Sequence, residues 1–184
     1  MTVSEFAQAD GNTLLHRAAM GMSADCAKAL VKLGTDIDAR NCWGETPLHW
    51  ACLNGDNESV ELILERGADA NAITWSGLSP LHCAVHSRQI HCVRQLIAHK
   101  ADLEIIDNEG STALHRAVRG ESLDIARALL EAKADPDAVD MYGRSPLHLA
   151  CIQGKIELAV RLTLARSRWL LLVSFSSLPS CSSH

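Results

Sequence analysis

The chain has 184 residues, enough for one domain with its own core, and 47% of them are hydrophobic, as in an ordinary globular protein. Its formal net charge is -5 and its lysines and arginines form no run, which argues against binding to a nucleic-acid backbone and slightly favours a basic partner. Seven cysteines without a paired framework, no signal-peptide pattern and no apolar run long enough to span a bilayer predict a cytoplasmic or nuclear protein without membrane insertion.

The chain is organised as a repeat with a period of 33 residues (44 − 11). After a lead-in at residues 1–10, the same residue types return in phase five times without an insertion. A period of this length is typical of proteins built from stacked supersecondary units. The residues that keep the phase are a glycine (Gly11, Gly44, Gly77, Gly110, Gly143), a Thr or Ser (Thr13, Thr46, Ser79, Thr112, Ser145) and a histidine (His16, His49, His82, His115, His148).

Within each unit the spacing predicts two helices. The glycine suits a turn that needs a positive φ, and the Thr or Ser two residues later is a good N-cap for the first helix. The second helix shows apolar residues at helical spacing and ends at a C-capping glycine in the first two units, Gly34 or Gly67. In the third and fourth units, Lys100 and Lys133 stand at this C-cap position. A left-handed backbone conformation there would cost about 1 kcal/mol of stability for each lysine. Proline occupies the first helical position in three units (Pro47, Pro80, Pro146).

Two stretches carry a family resemblance. Gly-Glu-Thr-Pro-Leu-His-Trp-Ala at 44–51 and Arg-Gly-Ala-Asp-Ala-Asn at 66–71 resemble the ankyrin repeat. The resemblance implies an all-α fold, an ankyrin-repeat solenoid of helix-turn-helix units with β-hairpin-like fingers. We therefore predict five ankyrin repeats over residues 11–166.

The repeat pattern breaks in the fifth unit, where Thr163 stands at a core leucine or isoleucine position and Arg166 at the C-cap position. Because no glycine stops the last helix, we expect it to run on towards Val173. Residues 167–184 form a non-repeat tail that we expect to be partly disordered. This tail could fold back as a cap on the last helix pair, remain disordered or bind a partner. The break in the repeat pattern suggests a truncated or alternatively terminated product of a longer array.

The recurrent histidines and hydroxyls are interpreted as helix caps, since residues that are identical in every unit do not define one catalytic site. The chain has no phosphate-binding loop, dinucleotide fingerprint or nucleophile motif, so we predict no enzyme and no cofactor. Cys83 and His86 share a helix face, but two soft ligands do not close a tetrahedral zinc site, and no metal is predicted. The turn aspartates are expected to accept hydrogen bonds from nearby amides (Asp36, Asp69, Asp102, Asp135).

The resemblance places partner recognition at positions that vary between units, on the finger tips and the exposed face of each first helix, which line a concave surface in this family. Aromatic residues and arginines are the types that most often carry binding energy at interfaces. We expect the aromatic residues to be buried by the partner and the arginines to orient its acidic groups; alternatively, the tryptophans pack on neighbouring fingers as satellite core. The predicted binding residues are Arg17, Trp43, Trp50, Trp75, Leu78, Arg116, Tyr142 and Arg144.

These observations predict a non-catalytic scaffold or adaptor, monomeric, that binds a protein partner on the concave surface. An alternative is a fragment or isoform of a larger ankyrin-array protein, an adaptor in trafficking or for a ubiquitin ligase, whose activity lies in absent domains. A further possibility treats the chain as a substrate. Ankyrin repeats are hydroxylated on a finger asparagine, and Asn71 is the candidate here, with Asp69 and Ile63 preceding it.

Overall fold

The structure is a computed structural model that describes residues 10–21 and 23–176, with the side chains as far as residue 166. Most of the predicted lead-in and residues 177–184 of the predicted tail lie outside the described residues. The described chain folds into ten α-helices and no strand, which confirms the all-α repeat architecture. The helices are α1 (Leu14–Met20), α2 (Ala24–Lys32), α3 (Pro47–Asn54), α4 (Asn57–Glu65), α5 (Pro80–His86), α6 (Ile90–Ala98), α7 (Ala113–Arg119), α8 (Leu123–Glu131), α9 (Pro146–Ile152) and α10 (Ile156–Ser176).

The first helix of each repeat begins at the predicted cap. In α5, the Ser79 hydroxyl accepts a hydrogen bond from the amide of His82 at 3.4 Å, and Nδ1 of His82 accepts one from the amide of Ser79 at 3.3 Å. The histidine takes the part that Glu or Gln plays in an ordinary capping box. The same reciprocal arrangement begins all five first helices, which confirms the structural interpretation of the histidines.

The second helices end in the left-handed conformation, as predicted. Gly34 and Gly67 have φ values of 76° and 84°, and Lys100 and Lys133 adopt φ values of 61° and 71° despite their side chains. The core lies between the first and second helices, with one cluster from Ala19 to Leu162 and a second, smaller cluster of Leu15, Ala18 and Ala27 in the first repeat. Its largest fully buried aliphatic side chains come from both helix layers (Leu15, Leu48, Ile63, Leu81, Leu96, Leu114, Leu129, Leu162).

The last helix departs from the repeat, as its sequence indicates. Helix α10 passes through Val173 and extends to Ser176, so the helix does run on beyond residue 166. The Thr163 hydroxyl donates to the carbonyl of Ala159 at 2.8 Å, which satisfies a polar group at a position that is apolar in earlier repeats. None of the helices described here has the combination of length and hydrophobicity that crossing a bilayer requires.

Candidate functional site

The connections between repeats project as four fingers, residues 39–45, 72–78, 105–111 and 138–144, which we number 1 to 4. Each tip is closed by two backbone hydrogen bonds, and neighbouring fingers are joined by one backbone hydrogen bond. In finger 2, the amide of Thr74 donates to Leu78 at 2.9 Å, and the amide of Trp75 donates to Trp43 of finger 1 at 3.0 Å. The chain path is therefore hairpin-like, but one bond between neighbours does not make a strand ladder.

Each framework histidine of the first four repeats also binds the following finger. A carbonyl oxygen only accepts, so the Nε2 that contacts it carries the proton, and Nδ1 accepts from the cap amide. Burial lowers the pKa of His49 to about 4 and also lowers the pKa values of His16, His82 and His115. These rings are thus fixed in one neutral tautomer. The contacts are His16 to Glu45 O at 3.0 Å, His49 to Leu78 O at 3.0 Å, His82 to Ser111 O at 3.1 Å and His115 to Arg144 O at 3.0 Å.

Sequence reasoning found the caps but missed this link between repeats. The available signal was the constant separation of 29 residues between each histidine and its carbonyl partner. Because both ring nitrogens are held in internal hydrogen bonds and the rings are buried, the four histidines are not placed to exchange a proton with a substrate. Their role is structural, and they position the finger surface.

The arginines predicted to orient a partner are already paired. Nε of Arg116 lies 2.7 Å from Asp107, and the Nε and terminal nitrogens of Arg144 lie 2.9 and 2.8 Å from Asp140. Burial raises the pKa of Asp140, but hydrogen bonds from Arg144 and Tyr142 outweigh it and lower the pKa to about 2. Arg17 lies 3.5 Å from Asp10. The charges of these arginines are therefore balanced within the chain, and a role in orienting acidic groups stays a prediction.

The predicted aromatic residues lie at different depths. Trp43, Trp75 and Tyr142 are 51%, 67% and 67% exposed, whereas Trp50 is half-buried and packs against the core. Leu78 is also half-buried. The position of Trp50 favours the satellite-core interpretation for that residue, and Trp75 also packs on a neighbouring finger, although its ring stays exposed.

The Trp75 side chain is exposed, but contacts with finger 1 fix its position. Its indole N–H donates to the carbonyl of Cys42 at 3.0 Å, and the Arg40 guanidinium lies 5.9 Å from its ring centroid. Its ring also covers Gly44, where an added Cβ would lie 2.8 Å from it. Gly44 has a φ of 75°, so the glycine serves both the turn and this close approach. Trp75 thus presents a fixed apolar face across fingers 1 and 2.

Two exposed apolar residues were missed by the sequence reasoning. Ile106 and Val139 are 57% and 59% exposed, and they keep the 33-residue phase of Ile73, which is 47% exposed. That phase was the signal available in the sequence. We call these three residues the apolar row. With the other exposed apolar side chains of the fingers they form what we call the finger ridge: Trp43, Ile73, Trp75, Ile106, Val139, Met141 and Tyr142.

A line of carboxylates runs beside the finger ridge. The amide of Asn71 donates to Asp69 at 2.9 Å and the amide of Glu104 to Asp102 at 2.9 Å, as predicted for the turn aspartates. Glu104 in turn accepts from the amide of Asp135 at 2.8 Å. Burial raises the pKa of Glu104, and the charges of Asp135 and Asp102 add to this against the hydrogen bond.

Asn71 belongs to the same line. It is exposed, and its side-chain oxygen accepts from the amide of Asp102 at 2.8 Å. The asparagine therefore helps to join one repeat to the next. Its hydroxylation stays a prediction.

The Cys83 thiol of α5 is unreactive near neutral pH. Burial raises the pKa of the Cys83 thiol to about 12, so the thiolate that would bind a metal or attack an electrophile is not formed near neutral pH. Among the described residues, no three His, Cys, Asp or Glu side chains meet in a metal-binding arrangement.

Models of known protein families match most of the chain. Family models described as ankyrin repeats (3 copies) match residues 2–74 and 70–140, and a model described as ankyrin repeats (many copies) matches residues 119–163. Comparison with curated proteins gives no significant match.

Proposed function

Because this chain belongs to the ankyrin-repeat family, whose repeats are protein-protein interaction modules, we propose that it is a non-catalytic adaptor that binds a protein partner along the finger ridge. Ankyrin-repeat proteins are generally scaffolds without catalytic activity. The proposal treats the chain as a monomer that acts in the cytoplasm or nucleus. Partner binding is assigned to the exposed aromatic and aliphatic side chains of the fingers.

The observation that carries the proposal is the concentration of exposed apolar residues. Seven of the thirteen large hydrophobic side chains that are exposed in the described chain lie on the fingers. Exposed apolar patches on folded proteins commonly mark interaction sites. Aromatic residues at the centre of such a patch often contribute about 2 kcal/mol or more to binding.

The fingers also support binding because they are held in place before a partner arrives. Backbone bonds between fingers, the histidine contacts and the Trp75 contact fix the ridge at several points. A surface that is already ordered loses little conformational entropy on association. The arginine pairs within the chain leave burial of apolar surface as the main source of affinity.

The proposal is tested by affinity capture from cytosol with a ridge variant, Trp43→Ala/Tyr142→Ala. The matched control is Ile152→Ala/Ile156→Ala, which truncates side chains that are 71% and 78% exposed in the fifth repeat, away from the fingers. Circular dichroism and thermal melting establish first that all three proteins are equally folded. A protein captured by the wild type and the control, but not by the ridge variant, would support the proposal. Capture that is unchanged in the ridge variant would overturn it.

A further inference from the structure

We infer that the partner segment that fits the finger ridge is an amphipathic α-helix with basic residues along one flank. This inference rests on the proposed function and goes further, because it specifies the secondary structure and the charge of the partner. Its basis is the spacing of the apolar row and the position of the carboxylates beside it.

The apolar row presents one side chain per repeat. Ile73, Ile106 and Val139 occupy equivalent positions on successive fingers, and the first helices that carry these fingers pack side by side. Packed helices lie about 8–10 Å apart, which sets the spacing of the row. A binding segment must therefore return an apolar side chain to the same face at about that interval.

An α-helix comes closer to this interval than a strand does. Residues i and i+7 of a helix share a face and lie about 10.5 Å apart. Residues on one face of a strand lie about 6.6 Å or about 13 Å apart, so a strand falls out of phase with the row. A helix of about 15 residues contacts all three side chains through positions i, i+7 and i+14. The helix also needs apolar residues at i+3 or i+4, which would contact Trp75 and Met141, 67% and 62% exposed on fingers 2 and 4.

The carboxylates beside the apolar row determine which charge is expected on the flank of the partner helix. Glu104 and Asp137 lie two residues before Ile106 and Val139, and Asp102 and Asp135 lie on the same turns. Asp137 is paired with Arg166 at 3.0 Å. Asp102, Glu104 and Asp135 take part in no ion pair within the described part of the chain, although Lys100 and Lys133 are close in sequence. The charges that act on Glu104 are those of Asp135 and Asp102, so the local field is negative.

The arginines on the other side of the row do not counter this field, since they are neutralised in place. Arg116 is paired with Asp107, Arg119 with Glu109 at 2.8 Å, and Arg144 with Asp140. Arg40, on finger 1, is a cation at the end of the row, but its guanidinium is bound to the carbonyls of Gly44 and Ile73. A helix that lies on fingers 2 to 4 therefore faces unpaired carboxylates on one side and paired arginines on the other. Lysines or arginines on the first flank are attracted, whereas an acidic flank is repelled.

The test uses three labelled synthetic peptides of 16 residues. The first has leucines at i, i+3, i+7, i+10 and i+14, lysines on one flank and alanines elsewhere. In the second, glutamates replace the lysines. The third has the composition of the first in an order that alternates apolar and polar residues. Fluorescence anisotropy measures the affinity of each peptide for the chain at low and at high salt.

We expect the first peptide to bind at least about tenfold more tightly than the other two, because only it satisfies both spacing and charge. The Ile73→Ser/Ile106→Ser/Val139→Ser variant should lose about tenfold in affinity, and Glu104→Gln/Asp135→Asn about threefold, the latter only at low salt. Ile152→Ser/Ile156→Ser should bind as the wild type does. Melting curves check that each variant is folded.

Equal binding of the first and second peptides, or of the first and third, would overturn the inference, as would undiminished binding to the apolar-row variant or no binding at all. The proposed function can be told apart from it. If capture of a partner depends on Trp43 and Tyr142 while the basic helix does not bind, the adaptor function stands and the helix inference fails. If neither result is obtained, both fail.

Discussion

The Nε2 nitrogen of His49 lies 3.0 Å from the carbonyl oxygen of Leu78, which belongs to the next repeat. Through its Nδ1 nitrogen, the same ring accepts a hydrogen bond from the amide of Thr46 at 3.1 Å. One buried side chain therefore caps α3 and holds finger 2. His148 caps α9 in the same way, at 3.1 Å from the amide of Ser145, but it is exposed, and no finger follows it in the described chain.

His49→Ala should therefore destabilise the protein more than His148→Ala. The first change removes one of the two donors to the Leu78 carbonyl, leaves the Thr46 amide without its acceptor and empties a buried site, at a cost of about 3 kcal/mol. The second change removes only a cap, at a cost of about 1 kcal/mol. Denaturant unfolding followed by circular dichroism measures both losses. Equal losses would show that the contact between repeats adds nothing to the cap.

Stability should fall as the pH is lowered from about 6.5 to about 4. Burial lowers the pKa of His49 from 6.5 to about 4, so below pH 6.5 the unfolded chain binds a proton that the folded chain excludes. This difference costs about 3 kcal/mol for His49 by pH 4, and His16, His82 and His115 act in the same direction. Urea unfolding at pH 7.5, 6.0 and 5.0 measures the slope. The His49→Ala variant should show a shallower slope, and an unchanged one would contradict this account.

Lys100→Gly and Lys133→Gly should each stabilise the protein by about 1 kcal/mol. Both lysines adopt positive φ at the end of a second helix, where glycine carries no steric penalty. Gly67→Ala is the matched control, because its φ is 84° and nothing lies within 4 Å of the added Cβ. That change should destabilise by a similar amount through backbone conformation alone. Melting temperatures that move in the same direction for both kinds of change would be inconsistent with this explanation.

Asp140→Ala should lower the local stability of finger 4. The buried Asp140 carboxylate accepts from the amides of Tyr142 and Arg144, both at 2.9 Å, and binds the Arg144 side chain. Its loss leaves these donors unpaired and should cost about 2 kcal/mol, since Arg144 itself remains partly exposed. Asp36→Ala, which removes an exposed carboxylate bonded to one amide, should cost about 0.5 kcal/mol. Hydrogen exchange of finger 4 amides should accelerate only in the first variant.

Asn71 should gain one oxygen atom when the chain is expressed with an asparaginyl hydroxylase. The residue is exposed, with its backbone amide bonded to Asp69 and its side chain to the Asp102 amide. Intact mass spectrometry detects the added oxygen, and Asn71→Gln is the control that should stay unmodified. An unchanged mass in the wild-type chain would remove Asn71 as a modification site.

The fold was predictable because the same requirements recur every 33 residues. A turn glycine such as Gly44, a capping Thr46 and a left-handed end at Gly67 each depend on local backbone conformation, which sequence reports well. Helix α10 was also anticipated, since no stop signal precedes Val173. The apolar row could have been found in the same way, by extending the phase of Ile73.

The pairings within the site were harder to predict because they depend on how a finger folds back on its own repeat. Arg116 and Asp107 are nine residues apart and meet only because finger 3 turns towards α7. Trp50 and Trp75 are both predicted as partner-binding residues, yet one packs against the core and the other lies across the neighbouring finger. Such differences arise from tertiary packing, which a local pattern does not encode.

The contacts between successive repeats also determine how the protein responds to force. Histidine-carbonyl bonds and finger-to-finger bonds recur along the first four repeats, so a load along the array is carried by similar links in series. Once a unit yields, it releases 33 residues, about 110 Å of extended chain, and tension on an attached partner falls in steps of that length.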